Sequence, residues 1–272
     1  MTADARQLRA FALLGLVMLL WAGNSIIARA VHEDIGPFTL AFIRWTGASA
    51  MLLPLAVKWV RRDWREIRRG WKSLLLLGML GIAAFNTLLY WGLRYTTATN
   101  ALLLQAAIPP AVMLFDRIFF GERSCLLQGV GVTASVLGVV PIVFQGDPAR
   151  ALRLHFGLGD ALVLAAVVIW ALYTVFLRLR PPISPVSLVA VTFFIGVVAL
   201  APLAAWEWHA GDAIRWSPAV VGAVIYVSLL PSLLSYFIYN HAAQLVGAAK
   251  AGQTITLMPL FGAFLSAALL GE

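Results

Sequence analysis

Ser228, Ser232, Ser235, Tyr236 and Tyr239 recur at three- and four-residue intervals around Pro231, the spacing that sets side chains on one face of a helix. Hydroxyls and rings in phase can donate and accept hydrogen bonds and stack. They lack the general base that would turn a serine into a nucleophile. Similar faces are formed by Trp21, Asn24 and Ser25, by Trp170 and Tyr173, and by Asn86 and Tyr90, with Gln105, Gln253 and Thr254 as further polar candidates. A wall of this kind binds an amphipathic small molecule through ring contact and a few directed hydrogen bonds. The competing assignment for each Ser or Thr is packing, with the hydroxyl bonded to its own helix or to a neighbour. Pro109, Pro231 and Pro259 each remove a backbone donor inside an apolar run, so each is a candidate helix break that frees carbonyls for a substrate or simply kinks the helix. Arg44 is the clear charge within a run. It lies about 9 Å in from the start of its helix at 1.5 Å per residue, within reach of the surface, with Glu33 and Asp34 as possible partners. A structural or gating role is expected for it, ahead of contact with a substrate carboxylate.

The elements that must carry these residues are dictated by composition. Of the 272 residues, 61% are hydrophobic and 12% charged, about half the charge of a soluble domain. Nine apolar runs, at 8–28, 38–57, 73–93, 98–120, 125–144, 157–177, 185–206, 217–240 and 248–270, each have the roughly 20 residues that cross a bilayer as a helix. None alternates as a barrel strand would. The expected fold class is therefore an all-α, polytopic membrane protein. The first run follows Arg6 and Arg9, yet it is too long for a signal peptide and has no small-residue cleavage site, so it is read as a retained helix. Trp91 and Trp206, near run ends, read as interfacial anchors. Gly131, Ser135 and Gly138 form a small-residue stripe for close helix packing, with a dimer contact as the sharper alternative to a monomer.

With a cytoplasmic N-terminus, fourteen of the twenty basic residues fall on the cytoplasmic side and five outside, which the positive-inside rule favours. Seven belong to "KWVRRDWREIRRGWK", read as a loop touching anionic lipid and not as a nucleic-acid surface. The twelve acids are placed in loops or near helix ends. A proton-driven carrier usually keeps a buried titrating group, so facilitated movement is expected. No P-loop is present for ATP. Cys125 is the single cysteine, and no Cys/His cluster suits a metal, so neither a metal nor a cofactor is expected. An intramembrane enzyme lacks its paired groups, and a channel lacks a filter of carbonyls or charge rings.

The chain also reads as built twice. Ala98, Ala101, Pro109 and "GE" stand 150 residues before Ala248, Ala251, Pro259 and "GE"; upstream, Trp21 matches Trp170, Arg29 matches Arg178 and Pro54 matches Pro202. Residues 1–147 form one five-helix repeat and 148–272 the second. An odd helix count inverts the second copy, a plan that puts the substrate site at the midplane between halves. By this count a tenth helix is expected after Glu272.

"LLWAGNSIIARA", "PFTLAFIRWTGASAMLLP", "YWGLRYTTATNALLLQAAIPPAVMLFDRIFFGE" and "GAAKAGQTITLMPLFGAFLSAALLGE" resemble the EamA-type members of the drug/metabolite transporter superfamily over nearly the whole chain, and are similar to the YddG-type aromatic amino-acid exporters. The resemblance implies ten helices in two inverted repeats in the bacterial inner membrane, a small-molecule substrate such as an amino acid, and a cavity lined by the first, third, fourth, sixth, eighth and ninth helices. Drug, quaternary-cation and nucleotide-sugar carriers are the nearest rivals.

Overall fold

The computed structural model describes residues 3–122, 129–131, 133–134, 157–246 and 248–269. These are helical, with no strand among the described residues. Eight helices are long and apolar enough to cross a membrane: α1 (Arg6–Ala30), α2 (Pro37–Arg69), α3 (Trp71–Gly92), α4 (Ala98–Phe120), α5 (Leu158–Leu179), α6 (Pro185–His209), α7 (Pro218–Tyr239) and α8 (Ala251–Leu269). They match eight of the nine expected runs. The remaining run, 125–144, with Ser135 and Gly138 of its small-residue stripe, lies outside the described residues apart from 129–131 and 133–134. The "KWVRRDWREIRRGWK" segment is not a loop. Helix α2 continues through it to Arg69, because it holds no proline and its only glycine, Gly70, stands where the helix ends. At 1.5 Å per residue the 33 residues of α2 span about 50 Å, well beyond the hydrocarbon core.

Helix α2 packs along α6, α1 against α7 and α8, α3 against α5 and α6, and α4 against α5 and α8. Each of these partnerships joins a helix of the first half to one of the second. The departures from regular helix also come in pairs. A π-helical turn interrupts α3 at Met79–Ala84 and another interrupts α7 at Ser228–Leu234. Helix α4 breaks at Ala106–Ala107, one turn before Pro109, and α8 tightens into a 3₁₀ turn at Thr254–Leu257 just before Pro259. The second π turn contains Pro231, whose missing N–H leaves the carbonyl four residues back without its helical partner. All three candidate prolines thus sit in or beside an irregular turn, although the mate of Pro231 in α3 has no proline.

Helices α2 and α6 are antiparallel and cap one another. Pro37 opens α2 and Gly36 before it offers no side-chain cap. The carboxylate of Glu207, near the end of α6, fills that role: it accepts from the backbone N–H of Phe38 (3.2 Å) and Thr39 (2.7 Å) and from the Thr39 hydroxyl (2.7 Å). At the other end Asp63 of α2 accepts from the Ser184 N–H and the Ser187 hydroxyl, each at 2.8 Å, where α6 begins. Acids at helix N-termini satisfy orphan donors and meet the positive end of the dipole. Glycine is required beside the first cap, because a Cβ on Gly36 would stand 2.3 Å from the Glu207 carboxyl carbon. From its place at the end of an apolar run Glu207 reads as a loop residue. It is instead a helical residue 1% exposed.

Candidate functional site

The centre of the bundle is aromatic. The rings of Trp21 on α1 and Trp170 on α5, paired from sequence, meet edge to face at 6.0 Å. Trp21 also contacts Tyr236 (6.1 Å) and Tyr239 (5.3 Å), while Trp170 contacts Phe85 (4.6 Å) and Tyr173 (5.1 Å). Trp45 and Phe193 extend the cluster to α2 and α6, with Tyr236 5.8 Å and 5.4 Å from them.

Arg44 is anchored in this cluster and is not directed toward the surface. It is 4% exposed, and its guanidinium carbon lies 4.6 Å from the Trp45 ring centre. Nε donates to Ser232 Oγ at 2.5 Å; Nη1 donates to Asn24 Oδ1 (3.0 Å), Asn86 Oδ1 (2.9 Å) and Tyr90 Oη (2.7 Å). Tyr90 in turn donates to Asn24 Oδ1 at 2.6 Å. Neither Glu33 nor Asp34 pairs with it: all its hydrogen-bond acceptors among the described residues are neutral. Bonds to a charged donor contribute roughly 1.5–3 kcal/mol each, and several of them are what make a buried guanidinium tolerable.

The irregular turns place those acceptors. Because Pro231 has no N–H, the Val227 carbonyl is free to accept from the Ser232 hydroxyl at 2.7 Å. That bond turns the Ser232 oxygen's lone pairs to Arg44, while the Pro231 carbonyl accepts from Trp21 Nε1 at 2.9 Å. In α3, Asn86 follows the other π turn and donates its amide to the Ile82 carbonyl at 2.8 Å. This fixes the amide orientation and presents Oδ1 to Arg44. The cation therefore joins α1, α2, α3 and α7.

A cavity of about 40 Å³ lies against this network, lined by Trp21, Asn24, Ser25, Arg44, Phe85, Asn86, Leu89, Gln105, Ile108, Trp170, Tyr236, Ile255 and Met258. These residues come from α1, α2, α3, α4, α5, α7 and α8. A water needs roughly 10–15 Å³ on this measure, so the space admits a few waters and no aromatic ring. Of the residues expected at a substrate wall, Trp21, Asn24, Ser25, Asn86, Gln105, Trp170 and Tyr236 are brought together here. Tyr90 and Ser232 stand behind them as partners of Arg44. Tyr173 and Tyr239 support the tryptophans from behind. Ser235 is buried but off the wall. Gln253 is exposed and Thr254 donates to the Ala251 carbonyl at 2.6 Å, so these two stand away from the cavity and Thr254 bonds its own helix. The five-member stripe of α7 does not act as one face: the π turn widens the helix between Ser228 and Leu234 and shifts the phase of everything after it. Phe85, Leu89, Ile108, Ile255 and Met258 were not identified from sequence, since an apolar cavity residue in a lipid-soluble chain has no distinguishing signature.

The family model described as the EamA-like transporter family matches the chain twice, over residues 8–144 and 157–272. Among curated relatives, an uncharacterized transporter of Archaeoglobus fulgidus is 30% identical over 261 residues, covering 96% of this chain and 89% of that protein. A protein of Streptantibioticus cattleyicolor named as a probable terminal-alkyne amino-acid exporter is 26% identical over 263 residues, covering 94% of this chain and 84% of its own. One crystal structure aligns with a TM-score of 0.68 at 19% identity, covering 97% of this chain and 89% of that one, a likeness of fold alone.

Proposed function

The chain belongs to the EamA-like transporter family, and from that premise we propose that it is an alternating-access carrier that exports amino acids, aromatic and other neutral ones among them, across the bacterial inner membrane. In this reading the N-terminus is cytoplasmic and the movement is facilitated. Residues 1–147 and 148–272 are two inverted repeats. The twofold match of the family model, the antiparallel reciprocal caps of α2 and α6, and the paired irregularities of α3 with α7 and α4 with α8 support that division.

The observation that carries the proposal is the ring-walled cavity built jointly by helices of both halves around Arg44. Its few waters' worth of space is too small for an amino acid, so substrate entry requires helices to part. The π and 3₁₀ turns are where a helix bends with least loss of hydrogen bonding, and with the break in α4 they flank the cavity on four helices. Glu207 is a buried carboxylate spent on three donors at the start of α2; it reads as a latch between α2 and α6. The name of the Streptantibioticus cattleyicolor relative supports an amino-acid substrate. A quaternary cation is disfavoured because the wall carries a guanidinium and no carboxylate. A sugar phosphate is disfavoured because one cation is thin provision for a dianion.

A competition assay in proteoliposomes tests this. Uptake of labelled L-phenylalanine is expected to be inhibited by unlabelled neutral amino acids and not by tetraethylammonium or glucose 6-phosphate. Inhibition by either of the latter, with none by amino acids, would overturn the assignment.

A further inference from the structure

We infer that Arg44 is the substrate-recognition group of the cavity and that what it recognises is a carboxylate monoanion. The inference rests on the carrier reading and names the chemistry of its site. Three observations combine. First, the guanidinium is buried with neutral acceptors on Nε and Nη1, while Nη2 donates to no group among the described residues. Nη2 is also not among the sealed polar atoms that lack a partner, so it keeps a surface, and its residue lines the cavity. Second, Ser25 belongs to the same wall, and its Oγ is sealed just behind it with no hydrogen-bond partner, a donor still unused in this closed packing. Third, none of the thirteen lining residues is acidic.

An acceptor-only ligand suits this set. A carboxylate takes N–H from Nη2, takes O–H from Ser25 once the wall moves to uncover that hydroxyl, and supplies the countercharge that Asn24, Asn86, Tyr90 and Ser232 cannot. An ammonium meets a like charge and no partner. The neutral network then has a purpose beyond tolerating the cation: it clamps Nε and Nη1 in one orientation and leaves one edge for the ligand, the preorganisation that raises affinity by lowering the ordering cost of binding. The aromatic wall beside it, Trp21 and Trp170, takes the rest of the molecule.

The test uses four probes with the same ring: L-phenylalanine, 3-phenylpropionate, phenylalaninamide and phenethylamine. Binding is measured by calorimetry on the purified wild-type protein in nanodiscs, so the comparison needs no variant. The two acids are expected to bind at least ~30-fold more tightly than the amide and the amine, the discrimination of a buried charge pair with one partner removed. Arg44→Gln should erase the preference and Arg44→Lys should keep part of it, with monodisperse elution and the melting profile reporting their folding. If amide or amine binds within about threefold of the acids, the role of Arg44 is refuted and the carrier reading survives. If none of the four binds or is exchanged, the amino-acid reading falls and takes this inference with it. If 3-phenylpropionate binds as tightly as phenylalanine, the anion alone is read; an advantage for phenylalanine of over about tenfold would refute recognition by the anion alone.

Discussion

Glu207→Ala is expected to destabilise the folded protein in detergent by about 3–5 kcal/mol, since each buried donor left unpaired costs about 1–3 kcal/mol and three lose their acceptor. The carboxylate accepts two backbone N–H groups and one hydroxyl at the start of α2, where Pro37 and Gly36 provide no alternative cap. Alanine leaves all three donors buried and unpaired and removes the negative charge facing the helix dipole. Glu207→Gln should cost less, since one oxygen still accepts. The reciprocal variant Asp63→Ala should shift melting by less than Glu207→Ala, because Asp63 keeps 11% of its side chain exposed and water can replace it. Thermal unfolding in one detergent checks all three; a Glu207→Ala melting point equal to that of wild type would show that the latch contributes nothing.

Asn24→Leu should also be damaging, for a different reason. Asn24 Oδ1 accepts from Arg44 Nη1 and from Tyr90 Oη, and leucine has nearly the same volume with no acceptor. Nη1 keeps Asn86 and Tyr90 as acceptors, but the buried Tyr90 hydroxyl loses its acceptor and the guanidinium loses one of its four, about 1–3 kcal/mol. Asn24→Asp should behave in the opposite way. It keeps the acceptor and adds a countercharge, so the fold should hold while phenylalanine binding falls by at least ~30-fold, since the guanidinium is then already paired. Melting and calorimetry on the two variants separate these outcomes. Equal loss of stability in both would show that the Asn24 acceptor oxygen is not what holds Arg44 and Tyr90.

What was legible in the sequence was the part governed by solvent. Lipid demands runs of about 20 apolar residues, and eight of them are helices, α2 alone running well past its expected end, to Arg69. Trp21 and Trp170 were recognised because aromatic residues deep in two apolar runs matched across the chain. The helix breaks were signalled where proline caused them; the π turn of α3 was invisible because no proline marks it. The expected reach of Arg44 toward the surface fails because depth along a helix says how far a side chain must reach, not which way it faces. Its direction is set by Asn24, Asn86, Tyr90 and Ser232, residues 20 to 188 positions away. Glu207 was misread because an acid near a run end looks like a loop residue until the helix it caps is known. Thr254 showed the opposite error: hydroxyls in membrane helices often bond their own turn, and this one does.

The central claim is that helices from both halves enclose one site that opens alternately to either side, with no proton moving. Counterflow in proteoliposomes tests it most directly. Vesicles loaded with unlabelled L-phenylalanine should transiently concentrate external labelled L-phenylalanine, saturably, with equal amplitude whether or not a pH difference is imposed. Linear flux without overshoot, or accumulation driven by the pH difference alone in unloaded vesicles, would contradict it.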